Sequence, residues 1–178
     1  MKLRFAVALL LSLAATLAAQ DQDWVRDWVR AQQQRPAAIG SISRIAPVNE
    51  PGTPLIVHGR IVPAKEGVIV FAYHTDRTGV YNRPGLRDWR LKGWVKTDAQ
   101  GRFEFRTIRP GSYPGLRPPP AHIHVTIDGP GLQRRWTEEI EFADDPLLAD
   151  KSHALPVMTR NGVQHVNYTI RVQEKGLF

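Results

Sequence analysis

Residues 113–124 read Tyr-Pro-Gly-Leu-Arg-Pro-Pro-Pro-Ala-His-Ile-His, a loop rich in proline and glycine that runs into a short strand. Proline and glycine interrupt helices and mark turns, whereas the pattern His-Ile-His has the period of two that is typical of a β-strand. On that strand His122 and His124 project from the same face. Neutral imidazole is a common ligand of transition metals, so this stretch predicts both a β-fold and a metal site.

Short strands separated by turns are predicted along most of the chain, with no convincing internal helix and no internal repeat. Six or seven such strands with Pro and Gly turns indicate an all-β fold, an antiparallel β-sandwich. In the last strand the alternate positions that include Val166, Tyr168 and Ile170 are expected to face the core. The predicted strands are residues 55–62, 68–73, 94–97, 102–108, 121–127, 135–142 and 163–172, and the long loops are residues 75–93, 109–120 and 144–158.

The N-terminal residues 1–20 have the order of a secretory signal peptide. Lys2 and Arg4 precede an apolar run at 5–17, and small residues follow it. This run is short for a membrane span, although an uncleaved anchor is the alternative. We therefore expect an exported protein, periplasmic or extracellular, with no stable membrane span after cleavage.

Residues 21–53 are predicted to form a short amphipathic helix followed by a connector rich in Pro and Gly, before a sandwich domain at 54–178. Trp24, Val25, Trp28 and Val29 have helical spacing. Their apolar face is expected to pack on the domain or on a second subunit.

The composition, with 42% hydrophobic and 23% charged residues, fits one globular domain. The chain contains no cysteine, which excludes thiolate ligands, cysteine nucleophiles and disulfides. One basic cluster has the composition of a nucleic-acid patch. An exported protein seldom meets nucleic acid, so we expect no such partner and interpret the cluster as a solvated loop beside the active site. It comprises Arg83, Arg87, Arg90 and Lys92 with Trp89 and Trp94.

Two tyrosines strengthen the metal hypothesis, because Tyr81 and Tyr113 lie in predicted loops where a core tyrosine would be unusual. Phenolate is a hard oxygen donor that suits ferric iron, and a bound cation favours the deprotonated form. Two phenolates with the imidazoles of His122 and His124 would leave room for a substrate that binds through oxygen.

An ordered series of segments across roughly residues 53–148 resembles the intradiol ring-cleavage dioxygenases, which include protocatechuate 3,4-dioxygenase and catechol 1,2-dioxygenase. An ordered match of several parts is more specific than any single motif. The segments are Tyr73-His-Thr-Asp-Arg-Thr-Gly-Val-Tyr81, Thr97-Asp-Ala-Gln-Gly-Arg-Phe103, Thr107-Ile-Arg-Pro-Gly-Ser-Tyr-Pro114, Pro120-Ala-His-Ile-His124 and Phe142-Ala-Asp-Asp-Pro146.

The resemblance implies a mononuclear non-haem Fe(III) held by Tyr81 and His122 in equatorial positions and by Tyr113 and His124 in axial ones, with hydroxide in the remaining place. It also implies that a catechol-type diol binds as a chelating dianion, with Tyr113 taking one of its protons. The diol and O2 would then give a muconate-type diacid by cleavage between the hydroxyl carbons.

The chain departs from the family pattern around the expected substrate pocket. Pro119 stands where the family has an arginine that steadies charge on the ring, and we expect Arg117 to replace it. The loop between Tyr113 and His122 is shorter, and Glu139 stands at the place of a glutamine. Tyr73-His74 replaces a Trp-Gln pair, and the family's long N-terminal dimerisation segment is missing, so a homo-oligomer is only an expectation.

Two alternatives remain open at this stage. One is a non-catalytic exported module that binds a metal or an aromatic ligand, and the other is a metal-free sandwich of the transthyretin-like or carboxypeptidase-regulatory-like kind. The histidines His58, His153 and His165 are expected to have structural or surface roles.

Overall fold

The computed structural model describes residues 24–82 and 88–172. The predicted signal peptide at 1–20 and the basic residues Arg83 and Arg87 lie outside the described residues. The chain divides into two compact units, Met1–Arg35 and Pro36–Phe178.

In the first unit, residues 24–33 form the predicted α-helix. Trp24, Val25 and Val29 are exposed on it, and the surface that this face packs against stays a prediction. Within the described ranges, no helix combines the length and the apolar character that a bilayer span requires.

The second unit is built from short strands, as predicted. Their bounds, in chain order, are β1 (Ile42–Arg44), β2 (Pro54–Val62), β3 (Ile69–Tyr73), β4 (Lys92–Lys96), β5 (Arg102–Ile108), β6 (His122–Gly129), β7 (Leu132–Trp136), β8 (Ile140–Glu141), β9 (Met158–Arg160) and β10 (Val163–Arg171).

These strands form two sheets that enclose one core. The first has the order β1-β5-β2-β10-β9, and the second has the order β4-β3-β6-β7, with β8 paired to β6. Buried residues alternate along β2 and β5 of the first sheet, as expected when one face of each strand meets the core. In the second sheet all five residues of β3 are buried. The predicted all-β sandwich is confirmed, and so is the inward face of the last strand. Core residues include Val57, Phe105, Val166 and Ile170 from the first sheet and Val70, Val125 and Ile127 from the second.

The sandwich is not purely antiparallel, which corrects one detail of the prediction. β2 pairs with β10 in parallel, and β1 pairs with β5 in parallel. Parallel neighbours need a crossover connection, and here the chain between β2 and β10 includes the whole second sheet. Alternation within a strand determines which residues face the core but carries no information about strand direction.

Two short strands lie where loops or a connector were predicted. β1 falls in the predicted connector, so the sandwich takes in part of the stretch before residue 54. β9 precedes Asn161-Gly162, where both residues have positive φ, 51° and 78°. Asn-Gly is a strong signal for a two-residue hairpin and could have predicted β9.

The predicted strand at 135–142 is wrong in its bounds, because the structure divides it into β7 and β8. β6 pairs with both of them and shows a register shift between Ile127 and Gly129. Residues 137–139 lie outside both strands, and Glu139 therefore stands at a break between two short strands rather than on a continuous one.

The topology brings the two long loops to one end of the second sheet. Tyr73, the last residue of β3, is the register partner of His124 near the start of β6. The loop after β3 and the loop before β6 therefore meet at the same end of the sheet, as the predicted metal site requires.

Candidate metal centre

Asp76 organises the turn that carries Tyr81. Its Oδ1 accepts hydrogen bonds from the Thr78 amide at 2.8 Å, the Thr78 hydroxyl at 2.6 Å and the Val80 amide at 3.3 Å. Burial opposes ionisation of Asp76, but these hydrogen bonds and the Arg90 charge lower its pKa. Arg90 binds Asp76 at 3.1 Å and also pairs with Glu50. The turn is thus fixed before Tyr81 leaves it.

The Tyr81 loop and the Tyr113 loop are in direct backbone contact through two glycines. A Cβ on Gly79, where φ is 83°, would lie 1.8 Å from the Ser112 carbonyl oxygen. A Cβ on Gly111 would lie 2.5 Å from the Arg77 carbonyl oxygen. The Gly111 amide also donates to the Asp76 carbonyl at 2.8 Å. Only glycine permits this approach, which brings the two tyrosines together.

Backbone and side-chain contacts also fix the histidines. The Asp145 carboxylate accepts a hydrogen bond from the Ala121 amide at 3.0 Å, at the entry to β6. His122 Nδ1 donates to the Pro120 carbonyl at 2.8 Å. His124 Nδ1 lies 2.7 Å from Oε1 of Glu139. Both imidazoles therefore direct Nε2 away from these partners.

The four predicted ligand atoms converge on one point. The hydroxyl oxygens of Tyr81 and Tyr113 are 2.5 Å apart. The Tyr113 hydroxyl lies 3.0 Å from His122 Nε2 and 3.1 Å from His124 Nε2, and the two Nε2 atoms are 3.2 Å apart. The structure thus brings together all four residues that the sequence proposed as a metal site.

Hydrogen bonding alone does not satisfy this cluster. Both Nδ1 atoms carry their protons toward Pro120 and Glu139, so in neutral imidazoles both Nε2 atoms present lone pairs. Only two phenolic protons serve four short contacts, and no proton lies between the two Nε2 atoms. A positive charge at the centre resolves the deficit, either as an extra proton or as a metal ion. Two imidazole nitrogens and two phenol oxygens are a donor set that fits ferric iron.

Comparison with known proteins identifies the family. The family model Dioxygenase_C, described as "Dioxygenase", matches residues 31–166, well over half of the chain. The chain belongs to the intradiol ring-cleavage dioxygenase family. This confirms the resemblance inferred from the ordered segments and favours it over the transthyretin-like alternative. Members of this dioxygenase family use ferric iron.

Two curated relatives illustrate the relationship. The chain is 29% identical to catechol 1,2-dioxygenase 1 of Acinetobacter lwoffii over an alignment of 126 positions, and the match covers 57% of this chain and 40% of the relative. It is 43% identical to the protocatechuate 3,4-dioxygenase beta chain of Burkholderia cepacia over 61 residues, 32% of this chain and 26% of the relative. The chain spans less than half the length of each of them.

One solved structure matches over a larger share of its length. It is the dioxygenase domain of a dioxygenase carbohydrate-binding protein fusion from Streptomyces sp. SirexAA-E, with 25% identity and a TM-score of 0.63. The match covers 78% of this chain and 91% of that domain. The match with this intradiol family member thus spans most of that one dioxygenase domain.

The tyrosines of this dioxygenase-family chain are protonated when no cation is bound. Burial raises the pKa of Tyr81 above its ordinary value, and the neighbouring Tyr113 raises it further. Burial also raises the pKa of Tyr113. Binding of a metal by two phenolates must therefore displace two protons.

Tyr73 is a site residue whose role the sequence analysis missed. Its buried ring stacks on Trp89, with centroids 4.0 Å apart, and on the imidazole of His124, with centroids 4.7 Å apart. Its hydroxyl has no hydrogen-bond partner in the described part of the chain. Alternation along β3 placed Tyr73 next to the core but gave no indication of this stacking.

The basic cluster is less solvated than predicted. Trp89 and Trp94 are buried, Arg90 binds two carboxylates, and the Lys92 ammonium donates to the Trp89 carbonyl at 2.6 Å. The prediction of a solvated loop is wrong for these residues. The pattern of arginines around tryptophans did not show that acidic partners lie far away in the sequence, at Glu50 and Asp76.

Arg117, the expected substitute for the family arginine, lies exposed on the shortened loop. Among the described residues, no hydrogen bond or ion pair joins its side chain to the four convergent ligands. Its proposed role in catalysis stays a prediction. His74 is buried and structural, since its Nδ1 donates to the Thr75 carbonyl and its Nε2 accepts from the Thr107 hydroxyl, both at 2.6 Å.

Proposed function

We propose that this protein is an Fe(III)-dependent dioxygenase that cleaves a catechol-type aromatic diol between its two hydroxyl carbons. The ring diol and one O2 would combine into a muconate-type diacid that retains both oxygen atoms. The observation that carries the proposal is the convergence of Tyr81, Tyr113, His122 and His124 with too few protons to satisfy them. Similarity to catechol 1,2-dioxygenase 1 and to the protocatechuate 3,4-dioxygenase beta chain supports a diol as the substrate class.

When bound, ferric iron would supply Lewis acidity and a template for the diol. Tyr81, Tyr113, His122 and His124 would hold it. Tyr113 contacts both imidazoles and the other phenol, which suits it to take up a proton that the diol releases on binding. Arg117 is proposed to steady the negative charge of the deprotonated ring. The ring of Tyr73, which is itself stacked on Trp89, packs against His124 and would exclude water from its side of the centre.

We also propose that the protein is exported. The support is the order of basic, apolar and small residues at positions 1–20. A periplasmic or extracellular enzyme would act on diols before they enter the cytoplasm. Fractionation of cells that produce the full chain tests this proposal.

The test of function begins with colour. Iron-loaded protein should be burgundy, with a tyrosinate-to-iron charge-transfer band in the visible range. Tyr81→Phe should lower iron content and shift the band, whereas His153→Gln, at an exposed position outside the cluster, should keep both. A colourless iron-treated protein with the same metal content in Tyr81→Phe would show that the ligand assignment is wrong.

Oxygen uptake then distinguishes an enzyme from a binding module. A non-catalytic binding module is the second candidate function. The observations that favour it are the exposure of Arg117 and the presence of a proline at position 119. Consumption of one O2 per diol with catechol, hydroxyquinol or protocatechuate supports the dioxygenase. Metal-dependent binding of these diols without O2 consumption supports the module.

A further inference from the structure

The two imidazoles of the centre have different partners on their outer nitrogens. His122 Nδ1 donates to a neutral backbone carbonyl, that of Pro120, at 2.8 Å. His124 Nδ1 faces a charged group, Oε1 of Glu139, at 2.7 Å. The two histidines lie on the same face of the strand, so the difference arises from the group that contacts each Nδ1 atom.

The backbone around Glu139 is anchored on both sides. The Thr137 amide and hydroxyl each donate to the Val125 carbonyl at 3.1 Å. Ile140 is buried and pairs with Ile123 across β8 and β6. Only Glu138 and Glu139 lie between the anchored residues Thr137 and Ile140. This short connection constrains the Glu139 side chain to lie beside the start of β6. The side chain of Glu138 is exposed and has no part in these contacts.

We propose that Glu139 is a positioning residue for His124. Its carboxylate fixes the Nδ1–H tautomer and the ring orientation, so that the Nε2 lone pair points at the Tyr113 hydroxyl and, under the proposed function, at the metal. A carboxylate partner also makes an imidazole more basic than a carbonyl partner does. His124 would therefore be the stronger donor of the two histidines.

The geometry favours action through His124 over direct binding of the metal. Oε1 is engaged at Nδ1, which is the nitrogen turned away from the cluster. Oε2 lies 4.0 Å from His122 Nε2, outside hydrogen-bond distance. Glu139 is half exposed, and the hydrogen bond from His124 lowers its pKa against the opposing effect of burial. The carboxylate is therefore ionised at neutral pH and adds one negative charge beside the centre.

The first test does not depend on iron. Nitrogen-15 NMR of the metal-free protein at about pH 8.5, some two units above the ordinary histidine pKa of about 6.5, reports the tautomer of neutral imidazole. His124 should be the Nδ1–H tautomer in the wild type and in Glu139→Gln, whose amide oxygen still accepts. In Glu139→Leu the Nε2–H tautomer should become populated, and in Glu138→Leu it should not.

The second test measures Fe(III) affinity by competition with a chelator. Loss of an outer carboxylate partner typically weakens metal binding by about 10- to 100-fold, which is the effect expected for Glu139→Leu. Glu139→Gln should retain more affinity but shift the charge-transfer band, because the charge is gone and the hydrogen bond remains. Glu138→Leu should match the wild type, and far-UV circular dichroism should verify the fold of each variant.

The outcomes separate this proposal from the proposed function. An unchanged His124 tautomer in Glu139→Leu overturns the positioning role whether or not iron binds. If the wild type binds no iron but the tautomer changes in Glu139→Leu, the positioning role holds and the proposed function fails. If Glu139→Leu does not fold, Glu139→Gln decides, since unaltered affinity together with an unaltered band would overturn the proposal.

Discussion

Two pairs of histidines lie in this sandwich, and their contrast shows what distinguishes a metal centre from a surface contact. His122 and His124 have Nε2 atoms 3.2 Å apart, with ring planes at 85°. On the first sheet, His58 Nε2 and His165 Nδ1 are 3.0 Å apart, with ring planes at 3°. The nitrogen separations are nearly the same, but the surroundings of the two pairs differ.

The outer pair, His58 and His165, can satisfy its hydrogen bonds with one choice of tautomers. The inner pair is His122 and His124. His58 Nδ1 lies 3.5 Å from the Glu104 carboxylate, so His58 Nε2 is free to accept a hydrogen bond from His165 Nδ1. The ring centroids are 5.3 Å apart in nearly coplanar rings, the separation expected when the donor and acceptor directions lie on one line. The inner pair has no such solution, because the Nδ1 atoms of both histidines already donate hydrogen bonds, and neither Nε2 carries a proton to donate to the other. Proton accounting, and not distance, identifies the centre.

The largest expected effect comes from removing each pair in turn. His122→Ala with His124→Ala should weaken Fe(III) binding by more than about 100-fold, beyond the loss typical of an outer partner. His58→Ala with His165→Ala should leave affinity and colour unchanged. Chelator competition on the two double variants measures this contrast. Equal losses in both would mean that the inner pair has no special role.

A second prediction concerns the protons that iron binding displaces from the metal centre. Burial raises the phenol pKa of both Tyr81 and Tyr113, so both are protonated in the metal-free protein at neutral pH. Iron binding as two phenolates should release about two protons, and apparent affinity should rise by about 100-fold per pH unit near neutrality. Calorimetry in buffers of different ionisation enthalpy counts the protons. With the same iron chelate as donor, Tyr81→Phe should release one proton fewer; an equal release would exclude Tyr81 as a phenolate ligand.

Much of this centre was predictable from the sequence, because its ligands occur in motifs of fixed order. The strand β5 has the predicted bounds, and the period of two placed His122 and His124 on one face. Gly79 and Gly111 stand within the motifs that carry the two tyrosines. Such motifs are visible in the sequence because the local backbone conformation requires one residue type, here glycine.

Contacts between distant segments were not predictable in the same way. The parallel pairing of β2 with β10, the burial of Trp89 against Tyr73 and the ion pairs of Arg90 all join residues whose sequence separation hides them. The prediction of one continuous strand at 135–142 did not show the break at 137–139, and so it did not reveal the contact of Glu139 with His124. Such contacts depend on how the sheets pack, which a periodic pattern does not specify.

His74 is a third case beside the two histidine pairs, because it is fully buried and both of its ring nitrogens are hydrogen-bonded. Burial lowers its pKa from 6.5 to about 4. As the pH falls from 6.5 toward 4, the unfolded chain takes up a proton that the folded protein refuses, so the free energy of unfolding should fall. The contribution is about 3 kcal/mol across this window.

Denaturant unfolding at several pH values tests this prediction. His74→Gln, whose amide can both donate and accept, should be less stable at neutral pH but should show a shallower loss between pH 6.5 and 4. His153→Gln changes an exposed histidine and should follow the wild-type slope. A wild-type slope in His74→Gln would contradict the assignment of a neutral, buried imidazole.

The smallest effect concerns the buried hydroxyl of Tyr73, which lacks a hydrogen-bond partner among the described residues. An unpaired buried hydroxyl costs about 1 to 3 kcal/mol, whereas a net hydrogen bond contributes about 1 kcal/mol. In metal-free protein, Tyr73→Phe should therefore raise the free energy of unfolding by about 1 kcal/mol, because the ring stacking is kept. Tyr168→Phe removes a hydroxyl bonded to the Glu138 carbonyl at 2.6 Å, and should lower it by a similar amount. The same chemical change should thus have opposite signs at the two positions, and destabilisation at both would show that the Tyr73 hydroxyl has a partner in solution.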